Sequence, residues 1–462
     1  MARPNNNDFA TATSSIPPSP DEVDLSILRK VIAASAIGNF VEWFDFAVYG
    51  FLAVIISHHF FPPGDDSLAL LQTFAVFAVS FALRPLGGIF FGMLGDKIGR
   101  KRVLAMTVLL MAGATTLIGL LPTYQSVGLL APLALALARC VQGFSAGGEY
   151  AGACAFVMEH APRRHKARYG SFVPVSTFTA FATAAALAYA VSALLSEEAL
   201  AAWGWRIPFL IAAPLGLIGL YMRLRLDESP AFQALKAQHD VPHSPLAETV
   251  RSHGATIVCL SAFISVTALS FYMFTTYFTT YMQVVGQASQ TTALLASLGA
   301  LVFAALLCPL IGRYADRVGR RKTVLSAGIS LIVAVFPAYT LAGSGEWLAS
   351  MTGAALMAVG AVICGVVTAV LLSEQFPTRV RYTASALCYN LAYTIFGGTA
   401  PLVATWLIER TGNNLSPAFY LIAITLLAMW GGLRLPESAH RALDADEAEW
   451  QDMPRPAAQP LA

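Results

Sequence analysis

Charged residues are scarce in this sequence: only 12% of its 462 residues are Asp, Glu, Lys or Arg, whereas 56% are hydrophobic. Soluble domains usually carry about 25% charged residues. Apolar runs of roughly 17–25 residues, long enough to cross a bilayer, recur along the whole chain. A formal net charge of +2 offers no attraction for a nucleic acid. The composition therefore excludes a soluble fold and a nucleic-acid partner, and it predicts an all-α polytopic protein embedded in a lipid bilayer.

Several chemical motifs are also missing. No GxxxxGK[ST] phosphate-binding loop occurs, so we do not expect ATP hydrolysis within this chain as a source of energy. The six cysteines form no CxxC pair and lie in apolar runs, as small core residues do. We therefore expect neither a cofactor nor a metal site, and we do not expect an enzyme.

The hydrophobic pattern predicts twelve membrane-spanning helices, numbered here as spans 1 to 12 in chain order. One long polar loop, 225–253, separates a six-helix bundle at 29–224 from a second six-helix bundle at 254–434. A disordered tail at 1–28 and a short tail at 435–462 flank them. The predicted spans are 31–56, 69–94, 103–122, 127–158, 168–194, 205–224, 255–283, 291–312, 323–343, 346–373, 381–409 and 416–434.

The basic residues are distributed unevenly between the two sides of the predicted membrane. All Lys and Arg fall in the tails or in the loops of one side, except Arg84, Arg139, Arg206 and Arg410. Loops that face the cytoplasm are enriched in Lys and Arg. We therefore expect both termini and the central loop to be cytoplasmic.

Short motifs recur in the same order in both bundles. "GMLGDKIGRKRVL" at 92–104 matches "GRYADRVGRRKTV" at 312–324, and "EHAPRRHKARYGS" at 159–171 matches "EQFPTRVRYTAS" at 374–385. "RLRLDES" at 223–229 resembles "GLRLPES" at 432–438. Three matches in corresponding places predict a duplicated six-helix unit, which is a repeat plan of transporters.

The motifs at 92–104 and 312–324 resemble the signature of the major facilitator superfamily (MFS). "GNFVEWFDFAVYG", "RPLGGIFFGMLGD", "QGFSAGGEYAGA" and "LDESPAF" are similar to its metabolite:proton symporter branch, which includes proline/glycine-betaine, 2-oxoglutarate, citrate and shikimate permeases. The resemblance runs from about residue 29 to 442 and implies the MFS fold. It also implies that the two signature loops form a cytoplasmic gate. Their residues are Gly92, Asp96, Gly99, Arg100, Lys101, Asp316, Gly319, Arg320 and Arg321.

Five charged residues lie well inside the predicted spans of the first bundle: Glu42, Asp45, Arg84, Arg139 and Glu149. Charges at membrane depth usually face the bundle interior and find partners. The acids and arginines sum to −1, so one added proton makes the set neutral. We predict that proton coupling uses Glu42, Asp45 and Glu149, with Glu42 or Asp45 as the carrier. Arg84 or Arg139 would pair with the ionised carrier or bind a substrate carboxylate, although fixed structural ion pairs are an alternative.

The second bundle holds no charge well inside its spans, but it has neutral polar and aromatic residues. Aromatic faces attract cations such as quaternary ammonium groups, and Arg can bind a carboxylate through two hydrogen bonds. Together they suit a zwitterion, although Tyr and Thr also pack at helix interfaces. The predicted lining of the substrate cavity is Asn39, Tyr49, Gln142, Tyr272, Tyr277, Tyr389, Asn390 and Tyr393.

These features predict a monomeric, proton-coupled symporter of the bacterial-type inner (plasma) membrane that imports a small organic solute by alternating access. The expected solute is a zwitterionic osmolyte such as proline or glycine betaine. A carboxylate such as 2-oxoglutarate, citrate or shikimate is the alternative, since Arg84 and Arg139 would be ready ligands. A proton-antiport exporter and a membrane sensor without transport activity are further alternatives. The proton is the coupling ion.

Overall fold

The computed structural model describes residues 25–98, 100–147, 149–225, 245–376 and 378–439, and all regular structure within these ranges is helical. Eleven helical stretches are long and apolar enough to cross a membrane, and Ala105–Leu120 is a shorter apolar helix at the place predicted for span 3. The predicted all-α fold of twelve spans is thereby confirmed. The spans are built from these helices: span 1, Leu25–Phe51 and Ala53–Phe60; span 2, Asp66–Ala82 and Arg84–Ile98; span 3, Arg100–Leu120; span 4, Leu130–Ser145 and Glu149–His160; span 5, Lys166–Gly170 and Phe172–Leu194; span 6, Ile207–Leu210 and Ala212–Arg225; span 7, Pro245–Tyr272, Met273–Tyr277 and Phe278–Val284; span 8, Gln290–Val318; span 9, Arg320–Ala342; span 10, Trp347–Glu374; span 11, Thr378–Ala392, Tyr393–Gly397 and Ala400–Thr411; span 12, Ser416–Arg434.

Several spans are interrupted where the hydrophobic pattern predicts one continuous helix. Span 2 breaks at Leu83 and span 4 breaks after Ser145. Span 7 begins at Pro245, ten residues before its predicted start, and non-helical dihedral angles at His253 mark a kink between two helical pieces. Residues 1–24, 226–244 and 440–462 lie outside the described residues, so the predicted division into bundles, central loop and tails stays a prediction.

Spans 7 and 11 each contain a short π-helical segment, at Met273–Tyr277 and at Tyr393–Gly397. A π segment inserts an extra residue per turn and usually marks a functional region of a helix. Both segments lie beside the first bundle, since Thr394 donates a hydrogen bond to the carbonyl oxygen of Phe81 at 2.9 Å. The hydrophobic periodicity gave no sign of either segment.

The two bundles contact each other mainly along two pairs of spans, with further contacts of span 4 with spans 10 and 11 and of span 1 with span 7. Span 5 packs along span 8, and span 2 packs along span 11. Span 1 lies against span 5 in the first bundle, and span 7 lies against spans 11 and 12 in the second. This arrangement places spans 1 and 7 next to the interface between the bundles, where their polar and aromatic residues can face each other.

Glycines let spans 2 and 4 approach each other closely. A Cβ atom built on Gly143 would lie 1.7 Å from the carbonyl oxygen of Ser80, and one on Gly87 would lie 1.7 Å from the carbonyl oxygen of Phe144. Small residues of this kind permit close backbone contact between membrane helices. The close contact brings the two helix breaks together, because a Cβ atom on Gly147 would lie 2.5 Å from the carbonyl oxygen of Arg84.

We expect Gly143→Ala to destabilise the protein by about 1–3 kcal/mol, because the added methyl group has no space beside the backbone of span 2. Gly113→Ala is the matched control, since no atom lies within 4 Å of the position of its Cβ. Thermal unfolding of the purified variants in detergent should show a lower midpoint for Gly143→Ala only. Equal midpoints for the two variants would contradict the close packing of spans 2 and 4.

Candidate functional site

Glu42 of span 1 and Arg84 of span 2 form an ion pair in the interior of the protein. The Nη2 atom of Arg84 donates to Oε1 of Glu42 at 2.7 Å, and the two side chains are only 1% and 2% exposed. Arg84 is positioned there by the break in span 2, where it is the first residue of Arg84–Ile98. Removing either partner of a buried ion pair leaves an uncompensated charge, so each residue depends on the other.

Asp45 is buried as deeply as Glu42 but has no ion pair within the described chain. Its side chain is 1% exposed. The hydroxyl group of Thr115 is a polar neighbour of its carboxyl group, and Arg139 and Glu42 are its charged neighbours. The two acids of span 1 therefore differ: one carboxylate directly contacts a guanidinium group, and the other does not.

Arg139 of span 4 is held by neutral partners. It donates to Oε1 of Gln142 at 2.8 Å and to the hydroxyl group of Ser80 at 3.1 Å. Its guanidinium carbon lies 4.3 Å from the centre of the Tyr49 ring, in a cation–π contact. Gln142 and Tyr49, two residues of the predicted cavity, thus surround Arg139 inside the first bundle.

Glu149 lies at the start of the second helix of span 4, beyond the break. We predicted that Arg139, Gln142 and Glu149 share one continuous helix face. That face is interrupted between Gln142 and Glu149. Glu149 and Glu42 line one small cavity of ≈ 10 Å³ together with Thr107 and Ser145. That volume is close to the minimum for one water molecule, and the lining supplies polar partners for it.

Asn39, predicted to line the substrate cavity, instead bonds within the first bundle. Its Nδ2 atom donates to the hydroxyl groups of Ser176 and Thr177 of span 5 at 2.9 and 2.7 Å. Its Oδ1 atom accepts the indole N–H of Trp43 at 2.9 Å. The side chain of Asn39 therefore fixes the orientation of Trp43 and has little capacity left for a ligand.

Three of the predicted tyrosines of the second bundle, Tyr272, Tyr389 and Tyr393, meet beside Arg84. Tyr389 and Tyr393 stack with ring centres 4.0 Å apart, and the centre of Tyr272 lies 6.2 Å from that of Tyr393. Tyr277 is placed elsewhere, against Phe74 of span 2, with ring centres 6.4 Å apart. One side of the central aromatic cluster is therefore supplied by the second bundle.

The prediction of cavity residues missed Trp43 and Tyr150, which supply the first-bundle side of the same cluster. Trp43 lies 6.2 Å from Tyr393 and 6.3 Å from Tyr272 between ring centres. Tyr150 stacks on Tyr389 at 4.7 Å with an interplanar angle of 13°. Trp43 follows Asn39 by one helical turn, and this spacing was a signal that could have identified it.

The last of the predicted cavity residues, Asn390, joins the two bundles directly. Its Nδ2 atom donates to the carbonyl oxygen of Gly147 at 2.7 Å, across the break in span 4. The carbonyl group freed by the helix break thus accepts a hydrogen bond from the opposite bundle. Irregular backbone at membrane depth requires partners of this kind within the protein.

At one end of the bundles, the second signature motif forms a buried ionic network. Arg320 binds Glu374 through Nε and Nη2 at 2.9 and 3.0 Å, and Nη1 lies 3.3 Å from Asp316. Asp316 also accepts the backbone N–H groups of Ala167 and Arg168 at 2.9 Å, in the opposite bundle. These bonds connect the bundles at this end of the molecule.

The first signature motif is described only in part. Gly92 and Asp96 lie in the helix Arg84–Ile98, and Arg100 and Lys101 begin the next helix. Gly99 lies outside the described residues, as do the side chains of Asp96, Arg100 and Lys101. Of the two predicted gate motifs, only the second, at 312–324, lies wholly within the described residues. Its Gly319 has a φ of +89°, a conformation that favours glycine.

The segment after span 12 binds the start of span 9. Glu437 accepts the backbone N–H groups of Arg320 and Arg321 at 2.8 and 3.0 Å. Partial burial alone would raise the pKa of the Glu437 carboxyl, but the backbone N–H groups of Arg320, Arg321 and Ala439 hold that pKa below its ordinary value. An ionised acid in this position stabilises the N-terminus of a helix.

We expect Glu437→Gln to lower the stability of the protein at neutral pH by about 0.3–1 kcal/mol, because the carboxylate is partly solvated. Since the folded pKa lies below the ordinary value of 4.5, the stabilisation is complete above pH 4.5 and is lost as the pH falls further. Unfolding midpoints of the two proteins, measured against pH, should converge in acid. A difference that is independent of pH would exclude a role for the ionised carboxylate.

Comparisons with known proteins agree with this architecture. The family model described as Major Facilitator Superfamily matches residues 35–398 and 282–458. The proline/betaine transporter of Salmonella typhimurium is 37% identical over 430 residues, covering 91% of this chain and 86% of the relative. The glycine betaine/proline/ectoine/pipecolic acid transporter of Dickeya dadantii is 37% identical over 433 residues, with the same coverage of both chains.

Solved structures are similar in fold. The MFS proton:xylose symporter bound to 6-bromo-6-deoxy-D-glucose superposes with a TM-score of 0.73. The comparison covers 92% of this chain and 99% of that chain at 18% sequence identity. At this identity, the likeness extends to the fold alone.

Proposed function

This chain belongs to the major facilitator superfamily, and from that premise we propose that it is a proton-coupled symporter that imports a zwitterionic osmolyte such as proline or glycine betaine. It is a multi-pass membrane transporter, as its relatives are, and it is not an enzyme. Relatives named for proline, betaine, ectoine and pipecolic acid support the solute class. The localisation that we propose is a bacterial-type inner membrane, with both termini cytoplasmic and the protein active as a monomer.

The unpaired burial of Asp45 is the observation that carries the proposal of proton coupling. Glu42 already has the guanidinium group of Arg84 as its partner at 2.7 Å. A carboxylate that is buried at 1% exposure without an ion-pair partner among the described residues is unfavourable unless it takes up a proton. With a proton on Asp45, the remaining charges of the five-residue set, two acids and two arginines, sum to zero. Asp45 is therefore our choice between the two acids of span 1.

The surroundings of Asp45 also suit a carrier that must both take up and release a proton. It lies in span 1, and the guanidinium group of Arg139 in span 4 is a cationic neighbour. Asp45 and Arg139 both belong to the first bundle, so their separation would change only through movement of span 1 relative to span 4 within that bundle. A closer guanidinium group favours the ionised acid and so releases the proton.

The ionic network of the second bundle would act as the cytoplasmic gate. Asp316 binds the first bundle through Ala167 and Arg168, and Arg381 lies 3.3 Å from Glu159 of the first bundle. These bonds must break before the cavity can open on that side. In the structure they are formed, so the described conformation is closed at the end that we assign to the cytoplasm.

Uptake into liposomes tests the proposed function. Purified protein, reconstituted in liposomes with an inward proton gradient, should accumulate labelled proline or glycine betaine, and a protonophore should abolish the accumulation. Labelled 2-oxoglutarate, citrate and shikimate test the carboxylate alternative in the same assay. Uptake of none of these solutes would refute the proposed substrates, and uptake that resists the protonophore would refute proton coupling.

We expect Asp45→Asn to lose proton-driven accumulation while retaining exchange of labelled for unlabelled solute across the membrane. Asn resembles the protonated acid in shape and charge, so it permits the movements of the loaded carrier but cannot release a proton. Accumulation should fall toward equilibrium, a loss of roughly 50-fold at a driving force of 100 mV. Accumulation by Asp45→Asn at the level of the unmodified protein would show that Asp45 is not the carrier.

A further inference from the structure

We propose that Glu149 receives the proton that leaves Asp45 and delivers it to the cytoplasmic side, by way of Glu42 and one water molecule between the two glutamates. The inference rests on the proposed function, to which it adds an exit route for the proton. Three observations carry it: a small polar cavity that Glu42 and Glu149 share, the position of Glu149 beside the space between the bundles, and the increase in exposure from Asp45 to Glu149.

Asp45 lies too deep in the described conformation to exchange its proton with bulk water directly. Its side chain is 1% exposed, and its charged neighbours are Arg139 and Glu42. Proton transfer takes place over the length of a hydrogen bond, directly or through one water molecule, so a buried carrier needs an intermediate acceptor. Of the two charged neighbours, only Glu42 can accept a proton, because an arginine side chain stays protonated.

Glu42 borders a cavity that connects it with Glu149. The cavity of ≈ 10 Å³ is lined by these two glutamates, by Thr107 and Ser145, and otherwise by apolar side chains. That volume is close to the minimum for one water molecule, and the carboxylate and hydroxyl groups are its hydrogen-bonding partners. As the O–H bond of protonated Glu42 breaks, the water gains that proton, and it loses another to the carboxylate of Glu149. The water molecule is thereby restored.

Glu149 lies between this cavity and the space that separates the bundles. It is the first residue of the helix after the break in span 4, and it also lines a space beside Tyr389 and Asn390 of the second bundle. Its side chain is partly exposed, whereas those of Glu42 and Asp45 are 2% and 1% exposed. The three acids thus form a series that leads from the interior to the interface.

The series runs toward the side that we assign to the cytoplasm. Span 1 begins on that side, so Glu42 precedes Asp45 by one helical turn and lies about 4.5 Å nearer to it at a rise of 1.5 Å per residue. The helix that starts at Glu149 ends at His160, within the basic motif at 159–171. A proton that passes from Asp45 through Glu42 to Glu149 therefore moves inward.

Contacts between the bundles close the outer end of the series in the described conformation. Tyr150, which follows Glu149, stacks on Tyr389 with ring centres 4.7 Å apart, and Asn390 donates to the carbonyl oxygen of Gly147 at 2.7 Å. Separation of the bundles at this end would break both contacts and admit water to Glu149. Glu149 would then lose its proton in the same conformation that opens the cavity to the cytoplasm, as coupled transport requires.

Transfer within the series keeps the buried set neutral. With a proton on Asp45, the charges of Glu42 and Glu149 balance those of Arg84 and Arg139. Movement of that proton from Asp45 to Glu149 leaves the sum at zero, so no net charge arises in the desolvated interior. The net charge of −1 appears only when Glu149 gives the proton to water, at the most exposed of the three acids.

Transport by the full-length protein in liposomes tests the relay. The driving force is a potassium diffusion potential set with valinomycin at equal pH on both sides, and labelled glycine betaine is the solute. The initial rate of accumulation requires release of the proton into the lumen, whereas exchange of labelled for unlabelled solute does not. We expect Glu149→Gln to slow accumulation at least about tenfold more than it slows exchange. Glu346→Gln removes an exposed acid before span 10, and this control should accumulate solute within about twofold of the unmodified protein.

Chemical rescue distinguishes a proton relay from a structural role. Azide in the lumen is the anion of a small weak acid and can accept the proton in place of the missing carboxylate. It should restore the accumulation rate of Glu149→Gln at least about fivefold. Azide should not restore Asp45→Asn, because that variant lacks the carrier itself.

The water-mediated step has a test of its own at Ser145. Ser145→Val adds two methyl groups beside the cavity and leaves no room for water, whereas Ser145→Ala enlarges the cavity. We expect Ser145→Val to accumulate solute at least about tenfold more slowly than Ser145→Ala, with a smaller difference in exchange. Each variant is first checked for a monodisperse elution profile. If Glu149→Gln aggregates, the Ser145 pair decides the test, and if Ser145→Val aggregates, Thr107→Val replaces it.

The outcomes separate failure of the relay from failure of the function. If the unmodified protein does not accumulate glycine betaine, the proposed function is wrong. If it does, and Glu149→Gln accumulates it as fast as Glu346→Gln, the function stands and the relay is wrong. Equal slowing of accumulation and exchange by Glu149→Gln, or no response to azide, would show that Glu149 acts only as a structural residue. Equal rates for the two Ser145 variants would overturn the step through water.

Discussion

The structure depends on the neutralisation of charges that are buried away from water. Glu42 and Arg84 are almost completely inaccessible, and their contact at 2.7 Å compensates both. Arg84 follows the break in span 2 at Leu83, and span 2 lies close to span 4, which glycines such as Gly143 allow. Helix breaks and small residues, which look like weaknesses in an apolar helix, are thus the conditions under which an ion pair can form at this depth.

The two bundles contribute different chemistry to one interior. The first bundle supplies the buried acids and arginines, whereas the second supplies uncharged tyrosines and π-helical segments. They meet where Asn390 binds the carbonyl group of Gly147 and where Tyr389 stacks on Tyr150. The buried charges of the second bundle, Arg320, Glu374 and Asp316, lie instead at the end of the molecule that holds the second signature motif.

Contacts between the bundles differ in chemistry at the two levels of the molecule. Near the centre, the bundles meet through aromatic stacking and single hydrogen bonds. At the end that holds the second signature motif, they meet through Asp316 on two backbone N–H groups, with Arg320 and Glu374 behind it. Glu437 binds the first residues of span 9 and links the end of span 12 to this network. The repeated "LPES" and "LDES" motifs thus have a structural role in at least the second bundle.

Composition and periodicity alone determined the fold class, the twelve spans and the set of buried charges. Each span must be apolar and long enough to cross a bilayer, and this requirement applies to each segment separately. They did not determine partners. The pairing of Glu42 with Arg84, the solitary position of Asp45 and the turn of Asn39 toward span 5 follow from distances between spans. The spacing of Trp43 from Asn39 shows that the two share a helix face, but it does not show that the ring reaches the tyrosines of the second bundle. Only the packing of two broken helices and a second bundle against span 1 decided which side chains meet.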